Sequence, residues 1–261
     1  MNKSHILDLY DQNERINVEY PGARREVTPD VVRHVDTSGR SEGMILYSRL
    51  SAANAEAVIR QQIDYFEGLG QDLEWKVYDY DAPSDLKERL ASHGFIIEAA
   101  EALMLLDLAG APPALWQPVG PRVQRLTYPE KLVDAQTIQQ QVWNEDASWV
   151  IDYLGESLRK VPERLSVYVA YVDERPASAA WVYFPEHSQF ASLWGGSTIK
   201  EFRRQGLYGD LLRVRAQEAR QRQVRWLTVD ASPMSRPILE QAGFELLGWS
   251  YPCKWKHKSQ K

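Results

Sequence analysis

Two stretches of the chain carry the same succession of hydrophobic periods. In the first, MILYSRL (44–50) reads as a strand and AEAVIRQQIDYFEGLG (55–70) as a long amphipathic helix. The alternating run EWKVYDYD (74–81) then reads as a second strand. In the second, FASLWGGST (190–198), LYGDLLRVRAQEARQR (207–222) and RWLTVD (225–230) repeat that order. Leu207, Leu211, Leu212, Ala216 and Ala219 share one face of the second long helix. Each second strand runs into a short helix started near proline and closed at Gly94 or Gly243, where glycine adopts a left-handed cap cheaply.

The closing segments align without a gap. DAPSDLKERLASHGF (81–95) and DASPMSRPILEQAGF (230–244) share Asp, Ala, Leu, Gly and Phe at matching positions. Those matches together with equal element order favour duplication over coincidence. AGAPPALWQPVGP (109–121) holds four prolines, which remove donors and fix the backbone, so neither helix nor central strand is expected there. The expected organisation is therefore one unit over 1–110, a proline-rich linker over 111–121, and a second unit over 122–261. From 122 the pattern gives a strand (RVQRLT), two helices (PEKLVDAQTIQQQVW and SWVIDYLGESLRK) and strands LSVYVAYVD and ASAAWVYF. A hairpin, PEHSQ, then leads into the repeated piece. This is an α+β arrangement, a mixed central sheet flanked by helices, in two similar units.

Composition excludes several classes. The chain has 261 residues, 44% hydrophobic and 26% charged, as in ordinary soluble domains. No run of about 18 apolar residues is present, so no membrane partner is expected. MNKSHILDLYDQNERIN lacks the apolar stretch of an export signal. Cys253 is the only cysteine, which excludes an internal disulfide and a thiolate metal cluster and favours a cytoplasmic setting. The histidines are scattered, so no metal pair is expected. A net charge of −5 argues against nucleic-acid binding, but the charge is uneven. Between 200 and 225, eight Lys and Arg face only Glu201, Asp210 and Glu218. That cluster reads either as a solvated helix face or as the field of a small polyanion site.

The centre of the cluster is TIKEFRRQGLYG (198–209), a basic loop between strand and helix. A helix N-terminus offers unpaired N–H groups and the positive end of its dipole, and anions bind there without a particular side chain. Gly206 lets a ligand approach the backbone closely. No GxxxxGK[ST], GxGxxG or GxSxG motif is present, which excludes a Walker-type site, a dinucleotide fold and a serine-hydrolase elbow. The first unit has only SAAN at the corresponding place, too short and uncharged to wrap a diphosphate.

Arg203-Arg204-Gln205-Gly206-Leu207-Tyr208 is similar to the R/Q-x-x-G-x-G/A signature of the GNAT acyltransferase superfamily. The similarity extends to its setting: a preceding strand, a following helix, then strand, short helix and Gly243-Phe244. It covers about residues 122–250, and the N-terminal half resembles a second, degenerate unit without the signature. The resemblance implies a tandem GNAT protein whose acyl-donor co-substrate is acetyl-CoA. Backbone amides of Arg204, Gln205, Gly206, Leu207, Tyr208 and Gly209 are then expected to hold its pyrophosphate. Thr198, Ile199 and Lys200 are expected to pair with the pantetheine arm. The implied reaction is direct acyl transfer to an amine, expected to be a small molecule. It needs a base to neutralise the amine and a donor, commonly a backbone amide, to polarise the thioester carbonyl.

The chain departs from the family pattern at several places. Tyr208 replaces the second Gly/Ala, which preserves the cradle if its side chain points away. Leu239 stands where many members carry a tyrosine acid, and Ser232 where an asparagine is common. SLWGGST carries no carboxylate, so Asp230 is the nearest candidate base; its alternative role is to cap the helix that follows. Trp143, Asp146, Trp149, Asp152 and Tyr153 fall where members build the acceptor site, and Trp194 precedes Gly195-Gly196. They read either as an acidic, aromatic mouth for a cationic amine or as core. Two functions stay open: an N-acetyltransferase, or a protein that binds CoA without catalysis.

Overall fold

Both strand–helix–strand patterns fold as parallel β-α-β pieces. The computed structural model describes residues 2–258. Contacts divide the chain into two compact units. The first takes the chain through Leu103, Asp230–Arg236 and the stretch from Leu246; the second takes Met104–Val229 and Pro237–Glu245. No helix among the described residues is long and apolar enough to cross a membrane.

The first unit opens with α1 (Lys3–Tyr10), which continues as a π-helical turn over Asp11–Ile16. Strands β1 (Ala23–Val27), β2 (Val31–Asp36) and β3 (Glu42–Ser48) follow, then α2 (Ala55–Leu69) and β4 (Asp72–Tyr78). Next come α3 (Leu86–Ser92), β5 (Ile96–Ile97) and β6 (Glu101–Asp107). The second part of the chain adds β7 (Val123–Leu126), α4 (Leu132–Trp143), a π-helical turn (Val150–Leu154) and α5 (Gly155–Lys160). It continues with β8 (Leu165–Val172), β9 (Arg175–Tyr183) and β10 (Phe190–Thr198). The chain closes with α6 (Leu207–Gln221), β11 (Trp226–Ala231), α7 (Arg236–Gln241) and β12 (Glu245–Trp255).

Both runs of strands are mixed, as the α+β pattern implies. The first runs β1-β2-β3-β4-β12, parallel only between β3 and β4. The second runs β6-β11-β10-β9-β8-β7, with β10 parallel to β11. A contiguous division at 111–121 therefore differs from the compact units. The final strand pairs with β4 from Ser250↔Tyr78 to Trp255↔Leu73, so its ladder completes the first unit's sheet. The proline-rich stretch is also less free than a linker. It makes a 3-10 turn over Pro113–Trp116, and Gln217 Nε2 on α6 donates to the carbonyls of Leu115 (2.9 Å) and Gln117 (2.8 Å).

Each unit has its own core. Phe66, Trp75, Ile45 and Ile59 lie at the centre of the first, and Leu132, Ile138, Val150 and Val167 in that of the second, all with 0% exposure. The apolar stripe of α6 is buried throughout. At roughly 2 kcal/mol for a fully buried leucine, that stripe holds α6 and the loop before it on the sheet. The repeat survives in hydrogen-bond detail. Gly94 and Gly243 have φ of 90° and 93°. Phe95 N donates to Leu90 O (3.1 Å) just as Phe244 N donates to Leu239 O (3.0 Å). Leu90 and Leu239 are both fully buried.

Candidate active site

The basic loop leaves β10 at Thr198 and passes through a 3-10 turn, Lys200–Phe202, before entering α6. Its backbone is left-handed at Arg204 (φ 64°) and at Gly206 (φ 77°), which caps the helix. The first helical bond runs from Asp210 N to Gly206 O (3.0 Å). The amides of Leu207, Tyr208 and Gly209 thus lie ahead of the helix ladder, at the positive end of its dipole. Arg203, Arg204, Gln205 and Gly206 are exposed. Arg203 Nε donates to Thr198 O (3.1 Å), which ties the loop to the end of its strand.

An ion-pair brace absent from the sequence reading sets the loop's shape. Arg122 donates from Nη2 to Gln205 O (3.1 Å) and from Nε to Asp210 Oδ2 (2.8 Å). Arg213 takes the other oxygen of Asp210, which is only 3% exposed. One arginine therefore grips the loop carbonyl and the first helical turn together.

Tyr208 turns inward. A Cβ built on Gly196 would lie 2.9 Å from Tyr208 Cε2, so this glycine makes room for the ring. Burial raises the Tyr208 hydroxyl pKa, partly opposed by Arg215. Arg215, two turns further along α6, is buried too. Its guanidinium donates to Leu211 O (2.8 Å) and Trp181 O (3.2 Å), and burial lowers its pKa to about 10. The ring thus leaves the amide of Tyr208 available at the loop.

β10 changes character midway. Its parallel ladder with β11 ends at Ser192↔Thr228, after three registered pairs. Its antiparallel register with β9 breaks between Trp194 and Ser197, and Gly195 adopts φ 65°. Trp181 lies against Gly195, where a Cβ would fall 2.0 Å from its ring. A bulge of this kind takes residues out of the ladder and re-aims the strand. Gln139 on α4 reaches this bulge: Nε2 donates to Gly195 O (2.7 Å), while Oε1 accepts from Trp143 Nε1 (2.9 Å) and Ser197 Oγ (3.2 Å).

Three of the six residues expected on the acceptor side gather around that bulge. Trp143 also donates to Ser197 Oγ (3.2 Å), Trp149 packs edge-on to Trp181 (6.0 Å), and Trp194 pairs across the strands with Trp181. Their exposures of 53%, 41% and 40% set them apart from the buried core. Asp146 accepts from the amide (3.0 Å) and hydroxyl (2.7 Å) of Ser148, which hold its carboxyl below the usual range. Tyr153 packs against Tyr183.

The remaining positions have local occupations. Ile199 donates its amide to Ala177 O (3.0 Å) and packs on the core. Thr198 Oγ1 meets Ser178 Oγ at 2.7 Å, while Lys200 is exposed. Asp230 caps no helix: Ser232 Oγ accepts from Ser235 N (3.3 Å) ahead of α7. Asp230 instead accepts from Lys76 Nζ (2.7 Å) and Ser250 Oγ (2.9 Å) within the first unit. Burial pulls the Lys76 pKa down, but Asp230, Tyr78 and Glu101 outweigh it and hold the ammonium well above the ordinary lysine value. Leu239 belongs to the core.

In the first unit, the matching loop is spent on itself. Asn54 Oδ1 accepts from Ser51 N (2.7 Å), and Asn54 Nδ2 donates to Asp30 Oδ1 (3.0 Å), which places a carboxylate beside the start of α2. The β3/β4 ladder ends at Ile45↔Trp75, and the next carbonyl, Leu46 O, accepts from Arg15 Nε (2.7 Å).

The fold is similar to that of solved GCN5-related N-acetyltransferases, a tandem one among them. A GCN5-related N-acetyltransferase from Kribbella flavida is similar over 97% of this chain and 93% of its own, with TM-score 0.66 at 15% identity. A tandem GNAT protein from the clavulanic acid biosynthesis pathway is similar over 94% of this chain and 86% of its own, with TM-score 0.60 at 15% identity. A GNAT-family acetyltransferase from Novosphingobium aromaticivorans reaches TM-score 0.55 at 16% identity, over 90% of this chain and 92% of its own. No protein-family model and no curated protein sequence matches the chain.

Proposed function

We propose that the chain is an acetyl-CoA-dependent N-acetyltransferase that passes the acyl group to a small-molecule amine in the cytoplasm. The carrying observation is the amide row from Arg204 to Gly209, delivered to the start of α6 while the Tyr208 ring folds inward. In this reading those amides hold the pyrophosphate, and Arg203 and Arg204 add charge. Thr198, Ile199 and Lys200 flank the pantetheine arm, with Ile199 acting through its side chain because its amide donates to Ala177 O and its carbonyl accepts from Phe202 N (2.9 Å). Acetyl-CoA supplies the activated thioester. The amides released at Gly195 and Gly196 are the polarising donors. Trp143, Trp149 and Trp194 bound the acceptor side, with Asp146 as its nearby charge. Asp230 can serve as a base only by releasing Lys76, so the amine loses its proton to solvent.

Calorimetry with acetyl-CoA on the wild type and Gly206→Glu tests this reading. The substitution strains a left-handed residue and places a carboxylate in the cradle, so affinity falls by at least about tenfold, or 1.4 kcal/mol. Equal affinity in a folded variant sinks the cradle. The buried Leu239 and the engaged Asp230 favour a second reading, a CoA-binding protein without turnover. Tight acetyl-CoA binding with no thiol release over a panel of amines would select it.

A further inference from the structure

We propose that Gln139 is the positioning residue that holds the β10 bulge in shape, an inference that rests on the acyl-transfer reading. Its orientation follows from hydrogen-bond chemistry. The Trp143 indole N–H can only donate, so the Gln139 atom 2.9 Å away is the oxygen. The amide nitrogen must then face Gly195 O, 2.7 Å away. Ser197 Oγ adds a second donor to the oxygen at 3.2 Å, and the side chain is only 4% exposed.

Gln139 thus holds both ends of the register break. Its nitrogen fixes the carbonyl of Gly195, and its oxygen fixes the hydroxyl of Ser197, where the β9 ladder resumes opposite Ala179. Pinning that carbonyl on the α4 side sets the orientation of the Gly195–Gly196 peptide, whose N–H belongs to Gly196. The same oxygen anchors Trp143, a half-exposed indole beside the bulge. One buried amide therefore couples the acceptor-side aromatic to the donor that polarises the thioester. At Gly195, φ is 65° and the Trp181 ring lies behind the residue, while Ser178 Oγ supports the far end of the bulge by donating to Ser197 O (2.8 Å). A buried side chain that satisfies three polar partners is costly to replace by an apolar one of equal size.

The test is Gln139→Met, with Trp143→Phe and Ser197→Ala as variants that each remove one bond to the oxygen and leave the bond to Gly195 O. Isotope-edited infrared spectroscopy of acetyl-CoA carrying 13C at the thioester carbonyl reads polarisation without an acceptor. Calorimetry with the same probe reads the cradle. The bound carbonyl band lies at lower wavenumber than the free one in the wild type. In Gln139→Met it returns toward the free position while the acetyl-CoA Kd changes by less than about threefold. Trp143→Phe and Ser197→Ala retain most of the displacement. A full displacement in folded Gln139→Met, or none in a wild type that binds, overturns the proposal alone. If Gln139→Met does not fold, a free-like band in the two other variants overturns it, because both keep the bond to Gly195 O. A wild type that binds no acetyl-CoA overturns the acyl-transfer reading, and this proposal with it.

Discussion

Asp230→Asn separates a catalytic carboxylate from a structural one. In the wild type, Asp230 lies 2.7 Å from Lys76, and the two side chains are 16% and 9% exposed. Breaking a buried pair by removing one partner costs about 3–5 kcal/mol, because the other charge is left uncompensated. Two features reduce that figure here. Glu101 stays 3.4 Å from the ammonium, and the asparagine carbonyl still accepts a hydrogen bond. We therefore expect a loss of about 2–3 kcal/mol, or roughly 5–10 °C in Tm for a chain of this size. The pH dependence has a definite sign. The folded pKa of Lys76 is raised, so its contribution is complete below the unfolded lysine value and is lost only as pH rises through the folded one. The deficit of the variant is accordingly flat from about pH 6 to 9. Urea denaturation of Asp230→Asn, Lys76→Met and the double variant supplies a cycle, in which the double variant recovers part of the loss. Unchanged stability, with thiol release from acetyl-CoA cut by more than about a hundredfold, would refute the structural assignment and restore Asp230 as base.

Gly195→Ala places a methyl 2.0 Å from the Trp181 ring at φ 65°, so it costs about 2–5 kcal/mol in urea denaturation; a change under 1 kcal/mol contradicts the packing. Tyr208→Phe keeps both stability and acetyl-CoA affinity, because the cradle is built of amides, whereas Tyr208→Ala empties the space over Gly196 and loses about 2–4 kcal/mol. Arg15→Met leaves Asp81, with 5% side-chain exposure, without its guanidinium, and destabilises the first unit by about 3–5 kcal/mol at pH 7. Burial already pushes the Asp81 carboxyl up against the pull of Arg15, and it rises further in the variant. The variant's stability then falls as pH climbs through that pKa, so denaturation at about pH 4–5 shows a smaller deficit than at pH 7.

What the sequence reveals is local. The period of α6 and the limits of β10 are written in consecutive residues, and so are the loop glycine and the two glycine caps. What it hides depends on distant partners. Arg122 reaches Gln205 across 83 positions, Gln139 reaches Gly195 across 56, and Lys76 meets Asp230 across 154. Asp230 followed by a short helix reads as a cap only while the neighbours considered are those next in the chain. β12 directly follows the second unit's last helix, and nothing in its alternation says that its ladder lies with β4. The sequence left the three indoles open between core and mouth; two stand at helix ends and Trp194 lies within β10, and their exposure is set by the elements packed around them.

The internal repeat explains why the two expected acid–base positions carry other duties. Asp81 and Asp230 occupy equivalent places in the aligned segments, and each neutralises a buried cation, Arg15 or Lys76. Leu90 and Leu239 are equivalent too, and both are core. These positions serve the framework in both copies. The copies diverge in backbone presentation instead: beyond the parallel ladder, the first has a carbonyl occupied by Arg15, and the second a glycine bulge braced by Gln139. They diverge again at the long helix, where the first has Asn54 and Asp30 and the second a row of amides in a loop that Arg122 holds through the Gln205 carbonyl. On the acyl-transfer reading, this chain's chemistry rests on oriented peptide groups rather than on a titrating side chain, and the residues that matter most are those that hold peptides still.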